Sequence, residues 1–116
     1  MGTILKLFVY GSYCEGMVHY KKLENFISEA KPARVKGSVY RLEVGYPVLS
    51  LDGTSVIDGE LLTINAPDVL FALLDEFHGF SPLKPEKSLF WRSLVDIETA
   101  QGVESATVYC INPAKL

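Results

Sequence analysis

Residues 7–17, LFVYGSYCEGM, constrain the fold of this chain more than any other stretch, because they carry an apolar strand straight into a glycine-marked turn. Leu5, Leu7 and Val9 alternate with Lys6, Phe8 and Tyr10, the period of two that suits a strand buried mainly on one side of a sheet. The strand is expected to end at Tyr10. Gly11 and Ser12 follow, with Gly16 close behind, so N–H groups that leave the sheet ladder can turn outward and hold an anionic or carbonyl group. The plain alternative is an ordinary strand-to-helix turn, common wherever strands feed helices.

A chain of 116 residues is the size of one domain with a real core, so a single domain over 1–116 is expected. Net charge is -3, with the eleven Lys and Arg scattered along the chain, which leaves no basic footprint for nucleic acid or anionic lipid. The apolar opening ILKLFVY is interrupted at Lys6 and is too short for a signal peptide or a membrane span. A cytoplasmic, soluble protein is the expectation. Cys14 and Cys110 are far apart, and neither they nor His19 and His78 show metal-ligand spacing, so no metal is expected. Cys14 sits in the turn, but no His, Asp or Asn is placed by sequence to activate it, and a free thiol is the better reading.

Downstream, Met17, Tyr20, Leu23, Phe26 and Ile27 recur at helical spacing and predict an amphipathic helix over 17–29, stopped by Lys31 and Pro32. A second strand is predicted over 33–42, with Gly37 marking a bulge or a close backbone approach. Gly45, Tyr46 and Pro47 form a turn before a strand over 48–51. Asp52 and Gly53 read as a hairpin turn, and 56–64 returns as another strand. Asn65 offers a helix cap with Pro67 just inside the first turn, and Val69, Leu70, Leu73, Leu74 and Phe77 form the apolar stripe of a second helix ending at Gly79. Residues 80–88 hold two prolines and two lysines and predict an exposed loop. Strands over 90–97 and 103–111 then make a final hairpin. The class is α+β: a mixed, mostly antiparallel sheet bent into a small barrel, with two outer helices.

Three features are candidates to form a pocket: the Tyr10-Gly11-Ser12 turn, the Gly45-Tyr46-Pro47 turn, and the end of the second helix. His78 closes that helix and is the side chain there that can take and give a proton near neutrality. A C-terminal histidine is also a common helix cap. Asp75 and Glu76 lie off the predicted stripe and are expected in water. Arg92 shares a sheet face with Phe90, an arrangement suited to holding a carboxylate or, better, to bracing a loop.

The order of these motifs resembles that of the gamma-glutamylcyclotransferase-like family, which includes AIG2-like and BtrG-like proteins. The resemblance runs through Val9-Tyr10-Gly11-Ser12, Gly37-Ser38-Val39-Tyr40, Gly45-Tyr46-Pro47, Val56-Ile57-Asp58-Gly59-Glu60, Leu74-Asp75-Glu76-Phe77-His78-Gly79, Phe90-Trp91-Arg92 and Val108-Tyr109. It implies a sheet folded on itself around a cavity, with no metal and no cofactor. It also implies a turn at Tyr10, Gly11, Ser12 and Tyr13 whose backbone holds the α-carboxylate of a γ-glutamyl ligand; Tyr46, in the second of the pocket-forming turns, is a further candidate for ligand binding. The family's acid/base is a glutamate in the LDxxEG motif, which helps the ligand's own α-amine attack its side-chain carbonyl and release 5-oxoproline. Here His78 stands in its place, and Tyr13 and Cys14 follow the turn where relatives carry Leu and often a basic residue.

Three readings stay open on the sequence: a binding protein for a γ-glutamyl or other carboxylate-bearing metabolite without catalysis, an active cyclotransferase with His78 as acid/base, and a non-enzymatic scaffold or oligomerisation module. The oligomeric state and the amine part of any substrate are left open with them.

Overall fold

The computed structural model describes residues 5–11, 14, 20–41, 47–78, 80–81 and 83–113. Its regular structure comprises β1 (Leu5–Val9), β2 (Ile27–Arg41), β3 (Pro47–Ile64), α1 (Pro67–His78), β4 (Phe90–Thr99) and β5 (Gly102–Ile111). The strands close into a barrel in the order β1-β3-β2-β4-β5. Neighbours pair antiparallel, except that β1 and β5 run parallel and meet at Leu7 and Thr107.

Strand alternation sorts most of the apolar side chains into two cores, with Val48, Phe90 and Ile111 forming a smaller third. Phe8, Ala33, Val35, Leu49, Leu61, Ile97, Ala106 and Val108 pack together inside the barrel, all buried. Their neighbours of opposite parity, Leu7, Val9, Leu62, Ile64 and Tyr109, face outward and are covered by Leu70, Phe71 and Leu74 of α1 and by Leu23. The helix therefore lies on the outer face of the sheet, as an α+β barrel requires. Its last turn is aimed at the β4–β5 hairpin.

Several elements differ from the sequence expectation. Of the helix predicted over 17–29, the described part is two 3-10 turns, Tyr20–Lys22 and Glu24–Phe26, after which the chain is already extended at Ile27. The fold thus has one outer α-helix among its described residues. Tyr20, Leu23 and Phe26 are three apart, which fits the three-residue turn of a 3-10 helix as well as an α-helix. Residues 27–32 are drawn into the sheet by pairing with 60–64 of β3, so Lys31 and Pro32 lie within β2. The hairpin expected at Asp52 and Gly53 is absent. Strand β3 is continuous, and its register jumps from Gly37 opposite Ser55 to Ser38 opposite Ser50, which puts residues 51–54 out of the ladder. Gly37 has the expected close approach: a Cβ there would lie 2.5 Å from the Ser50 carbonyl oxygen, and one on Gly53 would lie 2.5 Å from the Gly37 carbonyl carbon.

Pro67 opens α1, so the residue flanking its start is Ala66 and not Asn65. Ala66 has φ 49°, and its carbonyl accepts hydrogen bonds from Val69 N and Leu70 N at 3.1 and 3.2 Å. On the helix, Leu70 and Leu74 are core as expected, but Phe71 is buried while Val69 and Leu73 are more than half exposed. The Phe77 side chain and Gly79 lie outside the described residues, while the helix end is closed by Phe80 N–H on the Asp75 carbonyl at 2.8 Å. That six-to-one bond is a Schellman-type closure.

Candidate functional site

The turn after β1 is built on Gly11. Its φ is +61°, a conformation that glycine adopts without a Cβ penalty, and its carbonyl accepts the Cys14 N–H at 3.1 Å. Ser12, Tyr13 and Tyr46, the other expected ligand-binding positions, lie outside the described residues. Tyr10 is turned back into the protein. Its hydroxyl accepts the Leu49 N–H at 2.9 Å and donates to the Tyr109 carbonyl at 3.4 Å, so the phenol joins β1, β3 and β5. Burial holds its proton well above the ordinary phenol range, the Leu49 bond offsetting part of the effect. Cys14 is half-buried and free, its thiol bonded to the Val9 carbonyl at 3.7 Å. Burial, with the charge of Glu60 adding to it, pushes the thiol up to about 11.

His78 sits at the end of α1 with Nδ1 2.8 Å from the Leu74 carbonyl oxygen. A carbonyl only accepts, so Nδ1 carries hydrogen and Nε2 is the nitrogen at which the neutral ring takes a proton. The ring lies flat on Tyr109, with centroids 4.2 Å apart and planes 7° from parallel, and meets the edge of Phe90 at 5.3 Å. Phe90 and Tyr109 come from the two arms of the β4–β5 hairpin, whose register also puts Arg92 opposite Tyr109.

A polar cluster that sequence reasoning missed lies beside this stack. The Tyr109 hydroxyl donates to Asp75 Oδ1 at 2.6 Å, and Arg92 Nη1 pairs with Asp75 Oδ2 at 3.0 Å. Asp75 is largely buried, with its side chain 13% exposed, and is not in water as its position off the predicted stripe suggested. Glu76 is exposed, as expected. The guanidinium of Arg92 lies over the rings of Phe71 and Phe80, 5.0 and 5.7 Å from their centroids. Bracing is thus what Arg92 does: it clamps the start of the loop after α1 to the helix and to β4. Burial, and then the bond to Asp75, keep the Tyr109 phenol protonated far beyond neutral pH. The signal that would have found this cluster is the spacing of Phe71, Asp75 and His78 at i, i+4 and i+7, one helix face.

The loop after α1 is tied down from within. Ser81 N–H donates to the Ser88 hydroxyl at 2.8 Å, and Asn112 Nδ2 donates to the Ser88 carbonyl at 2.9 Å. Ser88 and Asn112 are buried and anchor the loop at its end, while Ser81, Leu83, Lys84, Glu86 and Lys87 are exposed, as expected of this stretch. Tyr109 is where the two halves of the site meet: its carbonyl receives Tyr10 from the turn, its ring carries His78, and its hydroxyl holds Asp75. No group of His, Cys, Asp and Glu suited to a metal ion occurs among the described residues, and no helix among them is long and apolar enough to cross a membrane.

Comparison with known proteins agrees with this architecture. YkqA from Bacillus subtilis is 23% identical, with a TM-score of 0.71 over 95% of this chain and 36% of its own. An Arabidopsis thaliana protein solved in solution is 20% identical, with a TM-score of 0.66 over 96% of this chain and 64% of its own. The chain therefore spans about a third of the first and less than two thirds of the second. A protein described as gamma-glutamyl cyclotransferase is 13% identical, with a TM-score of 0.62 over 95% of this chain and 68% of its own. At these identities the likeness is one of fold. No curated protein matches the chain. The family model described as Gamma-glutamyl cyclotransferase, AIG2-like matches residues 7–116, nearly the whole sequence, and with the barrel, the helix across its outer face and the glycine turn after β1 in view, this chain belongs to that family.

Proposed function

We propose that this protein binds a small carboxylate-bearing metabolite of the γ-glutamyl class between the turn at Gly11 and the end of α1. The observation that carries the proposal is the setting of His78, whose protonation site is defined by the Leu74 carbonyl and whose ring plane is held by Tyr109. A helix cap has no need of that second constraint; a group that must meet a ligand atom in one direction does. The turn at Gly11 supplies the other end of the ligand site, its backbone N–H groups serving a carboxylate.

The fixed tautomer also favours turnover as a second reading. The α-amine nitrogen of a γ-glutamyl amide would form a bond to its own γ-carbonyl carbon, and the amide C–N bond would break. Nε2 would take the proton released by the attacking nitrogen and return it to the leaving amine, so that 5-oxoproline and a free amine result with no net proton change at the enzyme.

Calorimetric titration with a panel of γ-glutamyl amides tests binding, and release of 5-oxoproline tests turnover. Binding with no product establishes the binding protein. If there is turnover, His78→Ala should lower it about 100-fold or more, the usual share of a positioned acid/base. His78→Glu, which restores the residue found in relatives, should then keep or raise the rate. If wild type neither binds nor converts any member of the panel, the proposal fails.

A further inference from the structure

We propose that Tyr109 is a positioning residue for His78: it fixes the imidazole plane, and so the direction of Nε2, by a face-to-face stack anchored at the phenol end on Asp75. The inference rests on His78 being the working group of the site and concerns how that group is held. Four contacts define the device. The stack has a 4.2 Å centroid separation and 7° between planes. The Tyr109 hydroxyl is on Asp75 Oδ1 at 2.6 Å. Asp75 is in turn gripped by Arg92 at 3.0 Å, and His78 Nδ1 is on the Leu74 carbonyl at 2.8 Å.

The geometry explains why so many parts serve one ring. A hydrogen bond at one ring nitrogen does not by itself stop an imidazole rocking about its side-chain torsions, since the terminal torsion is soft and broad. The hydrogen bond to Leu74 fixes one edge of the ring. A broad apolar face parallel to it removes the remaining rotation. The Tyr109 ring can serve as that face only if it is itself immobile, and it is fixed at both ends: at its backbone by the β4–β5 ladder, where it pairs with Arg92, and at its hydroxyl by Asp75. Asp75 precedes His78 by three residues on α1, so the anchor and the ring it steadies ride on the same helix turn and keep their spacing if the helix shifts. The Tyr10 hydroxyl on the Tyr109 carbonyl links the same residue to the turn after β1.

The test is nitrogen NMR of the His78 ring in the intact chain, which requires no ligand. In wild type the neutral ring should be in the Nδ1–H form, and its carbon-bound protons should be displaced upfield by the Tyr109 ring. Tyr109→Phe keeps the face but loses its anchor on Asp75, so it should keep the upfield displacement while moving the Nδ1–H form part of the way towards a mixture. Tyr109→Leu removes the face and should shift the ratio of Nδ1–H to Nε2–H forms roughly fivefold towards a mixture, as expected when the hydrogen bond to the Leu74 carbonyl is no longer enforced. Wild type with the Nε2–H form, or without the upfield displacement, overturns the inference even if the leucine variant fails to fold. So does a leucine variant indistinguishable from wild type. Intact signatures in a protein that binds no γ-glutamyl compound support this inference and count against the proposed function alone, so the two fail separately.

Discussion

At the scale of single residues, burial decides what the reactive side chains can do. Cys14 lies in the turn where a nucleophile would be well placed, yet its thiol is pushed from 9.0 up to about 11. A thiol acts as its thiolate, so at pH 8 Cys14 should react with iodoacetamide about 100-fold more slowly than an unperturbed cysteine, and its rate should climb until about pH 11. Mass-spectrometric alkylation rates against pH check this; a rate levelling off near pH 9 would show the thiol to be ordinary. The same scale shows what sequence could and could not reveal. The place of His78 at the end of α1 was legible because it follows an apolar helix and precedes a glycine. The burial of Asp75 was not, because α1 has apolar residues on more than one side. Choosing Val69 and Leu73 as core leaves Asp75 in water, whereas the observed choice of Phe71 brings it under Arg92 and Tyr109. Helical periodicity gives the period, and the partner strands choose the phase.

At the scale of elements, the strands and α1 were largely readable, and the errors fall where local preference yields to the sheet. The helical spacing that ends at Ile27 predicts a helix continuing to residue 29, but β3 is 18 residues long, and one edge of its far end would be unpaired without residues 27–32. Long-range pairing overrides local period there. The start of α1 is a second case. Asn65 is a good cap by type, but its N–H is committed to the Phe26 carbonyl at 2.7 Å, and the flanking position falls to Ala66 at φ 49°. An alanine in the left-handed region costs about 1 to 2 kcal/mol, and glycine also outranks alanine as a helix cap. Ala66→Gly should therefore stabilise the protein by about 1 kcal/mol after the greater freedom of glycine in the unfolded chain is offset. Urea unfolding measures it; a variant less stable than wild type would mean that the strain is not there. The same logic inverted applies to Gly59, where a Cβ would lie 2.1 Å from the Val9 carbonyl oxygen. Gly59→Ala should force β1 and β3 apart and cost about 2 kcal/mol or more, read in the same assay.

At the scale of the whole molecule, the barrel is closed at narrow seams. Among the described residues, β1 meets β5 at Leu7 and Thr107, and β2 meets β4 at Ala33–Thr99 and Arg34–Glu98, whereas β2 and β3 pair along most of their length. Lys6, Lys31 and Glu104 lie one pleat beyond Phe8, Ala33 and Ala106, which by alternation puts them on the interior face at one end of the barrel. There the Glu104 carboxylate of β5 receives Lys6 of β1, and also Lys31 of β2 at 2.6 Å, so one side chain spans the β1–β5 seam and reaches across to a third strand. The hydrogen bonds from Lys31 and Lys6 hold its carboxyl down from 4.5 to about 2. Because the folded state binds this proton more weakly than the unfolded chain does, the stabilisation is fully present above about pH 4.5 and is lost as the pH falls towards 2. Glu104→Gln should thus melt below wild type at pH 7, and the gap should narrow steadily through that window and close near its lower end. Added salt should shrink the gap at pH 7 as well, since the cluster is partly open to water. Thermal unfolding of both proteins across that range decides the matter. A gap that persists unchanged at pH 2 would mean that Glu104 matters for its shape and not its charge, and that the strand pairing alone closes the barrel.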